Sequence, residues 1–368
     1  MIRNIAFITA FLMLSISVSA SPLSDLEISK MKPPESIHDV PVLQPIYLPN
    51  TGGSIINTAA TATNDVAMQP IHDYRDQLAQ LGDTYLATKN LAAAERAGLY
   101  LTTWAKADAL TGPEEQHSES DVNRYMFLSS TAMNYLKIKP ALSAEDQQII
   151  EKWLLNLAMR NRESSIYLKS TGNLRSWHAL GILATGIAAN RKDLIDDARE
   201  KYTIGTSLIN DDGTIDTELA RQHRALIYTD GATIPLVLMA ELSRKIHEDW
   251  YEINPGRIDL TPARILYGVK HPEWFAQRAG GAEQELVKPG CWLIFFAMRH
   301  PENQEAQEAL KEKWGIIKAA LVDQQPCSRS LIFLSPTRIF GGNASSKFYA
   351  SISRQCLQGF GVQHLTIR

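Results

Sequence analysis

The chain has 368 residues, a formal net charge of −3, a pI near 6.3 and 45% hydrophobic residues. A nearly balanced charge with no basic tail excludes nucleic acid as a partner and gives no electrostatic hold on a membrane surface. The apolar share supports a sizeable core, and three cysteines without metal-ligand spacing imply neither a zinc site nor a cofactor.

The first residues have the three parts of a secretory signal: Arg3, an apolar run from Ile5 to Val18, and the small residues Val18-Ser19-Ala20 before a cleavage point near Ala20. The run is short for a membrane span, so the expected product is periplasmic or secreted, with no membrane association after cleavage. Residues 21–69 read as an N-terminal extension. Pro22, Pro33, Pro34, Pro41, Pro45 and Pro49 break any period. The run from Thr51-Gly52-Gly53-Ser54 to Asn64 reads as a loop, and a long loop in a compact chain suggests a lid, with Tyr47 as its aromatic.

From residue 70 the pattern is helical almost without pause. Ile71, Tyr74, Leu78 and Leu81 recur at helical spacing. A second helix covers 91–109 and ends at Thr111-Gly112-Pro113. Asp121 is read as the cap of a third, with Tyr125, Leu128, Met133 and Leu136 inward. Ser143-Ala144-Glu145-Asp146 opens a fourth, with a serine cap and acids in the first turn. Helices are expected after Asn173 to about 189, from 193 to about 208, and from Glu218 to about 246, with Pro235 kinking or splitting the last. Further helices are read at 271–280, 291–299 and 302–321. The segments 331–333 and 347–352 look strand-like. Cys291 sits in an apolar run and reads as buried and inert, while Cys327 and Cys356 could pair in an oxidising compartment. Antiparallel helix pairs of roughly forty residues, with no nucleotide-binding glycine motif and no tetratricopeptide signature, suggest a helical solenoid or closed toroid.

Two polar stretches interrupt this apolar pattern. Glu218, Arg221, Arg224 and Tyr228 would form one stripe if the segment is helical, leading into an apolar segment that must be buried. Two arginines on such a stripe suit a carboxylate. The other stretch, Gly172-Asn173-Leu174-Arg175-Ser176-Trp177-His178-Ala179, gathers an amide, a guanidinium, an indole and an imidazole. Asn173 stands where a helix cap would stand, but an amide can also donate to an oxyanion, and an indole face suits a pyranose. A carboxylate clamp, an amide, a tyrosine and an indole together fit β-elimination at a uronic acid. The carboxylate is neutralised, a base takes the proton on the adjacent carbon, and an acid protonates the departing oxygen.

At these residues the chain resembles the mannuronate-specific alginate lyases, which are periplasmic polysaccharide lyases. The resemblance runs from about residue 71 to about 348. It rests on Leu136-Lys137-Ile138-Lys139-Pro140-Ala141-Leu142-Ser143, Asn190-Arg191-Lys192-Asp193-Leu194, Glu218-Leu219-Ala220-Arg221-Gln222-His223-Arg224-Ala225-Leu226 and Thr337-Arg338-Ile339-Phe340-Gly341-Gly342-Asn343. It implies an incomplete α/α toroid with a deep cleft and a lid loop near the N-terminus. The family motif NNHSYW aligns with 172–177, so Asn173 and Trp177 are kept while Leu174 stands at the histidine position. Arg224 matches the family arginine, and Gly231 stands where a tyrosine follows it.

The expectation is therefore an all-α chain: a signal peptide at 1–20, the extension with its lid at 21–69, and an incomplete α/α toroid of antiparallel helix pairs at 70–368. Its substrate would be an acidic, uronate-bearing polysaccharide. Asn173 and Arg224 would neutralise the carboxylate and Tyr228 would move the proton. Arg175, Trp177, His178, Arg221, Arg338 and Tyr47 would hold sugars. Two alternatives are a catalytically altered polysaccharide-binding protein of an export system, and a glycoside hydrolase using two of Asp211, Asp212, Asp216 and Glu218.

Overall fold

The computed structural model describes residues 22–51, 53–112 and 118–314, and the candidate signal, Arg338 and the two strand-like segments lie outside them. The helices are α1 (Asp25–Lys30), α2 (Thr58–Thr88), α3 (Leu91–Lys106), α4 (Ser118–Ile138), α5 (Ala144–Glu163), α6 (Ser165–Lys169), α7 (Asn173–Ala188), α8 (Lys192–Ser207), α9 (Asp216–Leu219), α10 (Ala225–Ser243), α11 (Arg257–Lys270), α12 (Pro272–Arg278), α13 (Trp292–Arg299) and α14 (Gln304–Trp314). Among the described residues, the only strand-like pairings are two isolated bridges, Tyr47 with Ile56 and Ile209 with Ile215.

The helices form two layers. Helices α2, α4, α7, α10 and α13 pack one against the next as an inner row, and α3, α5, α8, α11 and α14 back them from outside. This is an α/α toroid. The sequence explains the division of labour. An inner helix touches its neighbours and its outer partner, so it must be apolar nearly all round. Every residue of α10 except Ile227 and Tyr228 is buried, and α7 is buried from Ser176 through Gly186. The stretch Gln222–Ile246 has the length and apolarity of a membrane span, but 89% of its apolar window is buried inside the fold. An outer helix has only one covered face, and α8 accordingly buries Leu194, Ile195, Ala198, Tyr202 and Gly205.

Close approach of the inner helices depends on small residues. A Cβ on Gly181 would lie 2.9 Å from Ser129 Oγ and 3.1 Å from the Ser129 nitrogen, so a side chain there would push α7 off α4. Between α2, α3, α4 and α5, Trp104 stacks on Tyr74 at 4.0 Å, with Phe127 and Trp153 continuing the aromatic core.

Three boundaries differ from the sequence reading. Helix α2 begins at Thr58, not near 70, and runs through Pro70. Asn57 caps it, and Ala60, Asn64 and Met68 continue the buried stripe of Ile71, Tyr74 and Leu78, so packing outweighs the roughly 3 kcal/mol cost of an interior proline. Asp121 does not cap α4. It lies inside the helix and holds Ser164 Oγ and, at 3.4 Å, Arg124 Nη2. The expected helix from 218 to 246 breaks at 220–224, where Gln222 has φ +54° and a 3-10 turn precedes α10, while Pro235 sits inside the continuous α10. Cys291 is also not a free thiol. It is disulfide-bonded, and Cys327 and Cys356, whose pairing the sequence left open, lie outside the described residues.

Candidate active site

The two polar stretches meet through Glu218. Asn173 opens α7 behind Gly172, and its Nδ2 donates to Glu218 Oε2 at 2.9 Å while its backbone nitrogen donates to Oε1 at 3.2 Å. Thr217 Oγ1 donates to the same carboxylate at 3.1 Å. Glu218 is 1% exposed. Burial raises its pKa, and these hydrogen bonds with the neighbouring Arg221 offset part of that rise. The carboxylate thus fixes the Asn173 amide and ties the start of α7 to the segment leading into α10.

Because the chain leaves helical geometry at Gln222, the four residues of the supposed stripe do not stand on one helix. They converge nonetheless. The Arg221 guanidinium lies 4.6 Å from the Tyr228 ring centroid and that of Arg224 lies 5.5 Å from it. Arg224 Nη1 donates to Tyr47 Oη at 3.1 Å, and the Tyr47 and Tyr228 hydroxyls are hydrogen-bonded to each other. Burial, and then the Tyr47 hydroxyl, push the Tyr228 pKa upward, so Tyr228 keeps its proton through neutral pH. On the far side of Arg224, Glu285 Oε2 lies 3.4 Å from Nε and Oε1 lies 3.5 Å from His223 Nε2.

Tyr47 arrives on the N-terminal loop. Leu48 N donates to the Ile55 carbonyl and Asn57 N to the Ile46 carbonyl, making a short hairpin over the site. Gly53 has φ +74°, and a Cβ there would collide with Arg221 Nη1. Only glycine lets the loop backbone lie on that guanidinium. The N-terminal loop therefore rests on the site, with Tyr47 and Gly53 as its contacts.

Three expected sugar-holding residues point elsewhere. Trp177 is 3% exposed, and its Nε1 donates to the Gly231 carbonyl at 3.2 Å, so the indole locks α7 to α10 and offers no platform. His178 is fully buried between the rings of Tyr125 and Tyr167. Burial, with Arg124 nearby, lowers its pKa well below the usual histidine value, and neither ring nitrogen has a hydrogen-bond partner among the described residues. Arg175 is 8% exposed, and its Nε and Nη2 have no hydrogen-bond partner among the described residues. Desolvation lowers its pKa, with Tyr167 and Glu200 nearby. The reason is helical geometry: Trp177, one turn from Asn173, faces α10, whereas Arg175 and His178 turn to other faces. Leu174 is half-buried against the core and Gly231 is fully buried, so neither position carries a proton-transfer group.

The acids of the hydrolase alternative are committed to local structure. Asp211 pairs with Arg257, Asp212 holds Thr214 and Arg278, Asp216 accepts from Asn210, and Glu218 holds Asn173. Among the described residues, no three His, Cys, Asp or Glu side chains are grouped to hold a metal ion. Sequence reasoning missed Glu285 and Gly53. Glu285 lies far along the chain, and only the loop's final position gives Gly53 its contact.

Comparison with known proteins agrees with this arrangement. The family model described as alginate lyase matches residues 51–275, more than half of the chain. A polysaccharide lyase of Stenotrophomonas maltophilia (strain K279a) is 33% identical over 263 residues, covering 70% of this chain and 78% of that protein. An alginate lyase of Cobetia marina is 33% identical over 196 residues, and there the chain spans about half of its relative, 52%. In structure, a histidine-to-alanine variant of alginate lyase A1-III complexed with tetrasaccharide superposes with a TM-score of 0.70 at 21% identity, covering 84% of this chain and 89% of that one. The same enzyme from Sphingomonas species A1 gives 0.68 at 20% identity, covering 85% and 91%. These structural likenesses carry the toroid fold, and the sequence matches carry the kinship: the chain belongs to the alginate lyase family and is a polysaccharide lyase.

Proposed function

We propose that this lyase is exported and cleaves a uronic-acid-containing, alginate-like exopolysaccharide by β-elimination. The observation that carries the reading is the convergence of the Arg221 and Arg224 guanidinia on the Tyr228 ring, with Arg224 also donating to the Tyr47 hydroxyl that is bonded to that of Tyr228. A uronate carboxylate brought to Arg224 would have its charge neutralised, which makes the hydrogen on C5 acidic. Asn173, held by Glu218, would support the same carboxylate with its remaining amide hydrogen. Tyr228, which keeps its proton, is suited to protonate the departing O4. The tetrasaccharide named with the A1-III structures supports an oligosaccharide ligand for this cleft. Export is supported by the apolar N-terminal run and by the disulfide at Cys291, a bond at home in oxidising compartments.

The test is incubation of the purified mature protein with a panel of acidic polysaccharides, following the ultraviolet absorbance of the unsaturated sugar that β-elimination creates. Product from an alginate or related uronate polymer is expected. Saturated products or none with every uronate polymer would overturn the reading. Tight oligouronate binding without cleavage would turn it toward the binding-protein alternative.

A further inference from the structure

Gln284 lies on the irregular segment between α12 and α13, and it is 6% exposed although it belongs to no helix. Its side-chain amide spans the backbone break that precedes α10. Oε1 accepts from Leu226 N at 3.1 Å, and Nε2 donates to the Gln222 carbonyl at 2.8 Å and to the Ala282 carbonyl at 2.8 Å. An N–H on one side and two carbonyls on the other fix the orientation of the amide and use both of its hydrogens. Glu285 N donates to the His223 carbonyl at 2.8 Å. The far end of the segment is tied to α10, where Gly290 N and Trp292 Nε1 donate to Asp230 Oδ1.

These bonds meet two local needs. Gln222 has φ +54°, which a residue with a side chain keeps only where its surroundings enforce it. Helix α10 starts behind Arg224 without a side-chain cap, so its first N–H groups lack intrahelical partners. Gln284 holds both the carbonyl of Gln222 and the nitrogen of the second residue of α10. The break it bridges is what brings Arg221 and Arg224 to the Tyr228 ring from either side.

We propose that Gln284 is a positioning residue of the lyase site: its amide holds the break at Gln222 and so sets where the Arg221 and Arg224 guanidinia stand when the substrate carboxylate arrives. This rests on the carboxylate role given to Arg224 above. Gln284 acts through the backbone, and a neutral amide is the side chain that suits it. A carboxylate in its place would face two carbonyl oxygens. An apolar side chain would leave Leu226 N and the Gln222 carbonyl without this partner.

The experiment measures kcat and KM of wild type, Gln284→Met and Gln284→Glu on the uronate polymer that wild type cleaves. It runs from about pH 5 to about pH 8, with melting curves at each pH, a range that brackets the titration of a buried carboxyl. Gln284→Met is expected to stay folded and to lose about 10- to 100-fold in kcat/KM, mostly in kcat. A displaced guanidinium still attracts a carboxylate but no longer meets the charge that develops on it. In Gln284→Glu, burial raises the pKa of the new carboxyl above the usual glutamate range. Above that pKa the carboxylate repels the Gln222 carbonyl. Below it the acid O–H donates to that carbonyl and the other oxygen accepts from Leu226 N. The kcat/KM of Gln284→Glu relative to wild type is therefore expected to rise at least about fivefold from pH 8 to pH 5. His223, Arg224 and Glu285, the charged and titratable side chains beside the break, are common to both proteins, so the ratio isolates the new carboxyl. Wild-type kcat and KM in Gln284→Met overturn the role. A Gln284→Glu ratio that does not change with pH overturns it too, as does activity that falls only as far as the folded fraction does. Should Gln284→Met not fold, the isosteric Gln284→Glu decides alone. A wild type that cleaves no uronate polymer overturns the β-elimination reading itself, and the role falls with it.

Discussion

The start of α7 and the segment from Ala220 to Tyr228 are both short polar stretches entering apolar inner helices, yet they build the site in opposite ways. At the start of α7 the backbone is regular from its first residue. Helical spacing therefore sorts the side chains: Asn173 meets Glu218 of α9 and Trp177 meets the Gly231 carbonyl of α10, while Arg175 and His178 turn into the body of the toroid. In the second stretch the backbone leaves the helix at Gln222, and Arg221 and Arg224 reach the same tyrosine from either side of that break. A regular helix distributes a polar cluster over its faces, so part of it becomes structural. An interrupted helix can bring several side chains to one point, as two guanidinia must be to meet one carboxylate.

If this contrast is right, substitutions on the two sides should separate cleanly. Arg224→Ala should have the largest effect, lowering kcat/KM by about 10²- to 10³-fold, comparable to removing a donor from an oxyanion site. A loss confined to stability would move Arg224 out of the site. Glu218→Gln should lower kcat/KM by about five- to tenfold, because a neutral acceptor holds the Asn173 amide less firmly. It should also change the pH dependence of stability. Burial raises the folded pKa of Glu218, so its contribution is present at low pH and drains as pH rises through that value. Melting temperatures of Glu218→Gln measured across the acid range should lack that decline.

His178→Phe tests the sealed side. The folded pKa of His178 lies well below 6.5, so its stabilising contribution is present above that pH and is lost as pH falls below it. Wild type should lose up to about 1.4 kcal/mol per pH unit from this group on the acid side. The variant should show a shallower slope, whatever constant offset the larger ring introduces. Oligouronate affinity at neutral pH should not change, and a marked loss would return His178 to the ligand surface. The smallest effect is expected from Arg175→Met. A buried guanidinium with unpartnered nitrogens costs desolvation, so an apolar side chain of similar length should leave stability within about 1 kcal/mol or improve it. Denaturant unfolding measures this, and a loss of several times that size would mean the charge is paired.

Much of this molecule was legible in its sequence. The 3-to-4-residue recurrence of Ile71, Tyr74, Leu78 and Leu81, the Ser143 cap and the apolar run after Ala225 are local signals, and each stands where helix chemistry requires. The two polar stretches were legible as well, because guanidinium and amide groups inside apolar helices need partners. Their roles were less so. Trp177 looks like a sugar platform until the Gly231 carbonyl is found at its nitrogen, and Pro70 looks like a boundary until α2 is seen packed through it.

Composition and periodicity thus determined an all-α chain of paired helices with a polar focus near residues 173 and 224, because burial and hydrogen-bond satisfaction act at each residue along a helix. Tertiary structure alone decided which polar groups meet. Glu218 reaches back 45 residues to Asn173, and Tyr47 comes from 177 residues away to Arg224. Those contacts depend on how the inner helices pack around the site and on the backbone break at 220–224, and neither leaves a periodic trace in the sequence.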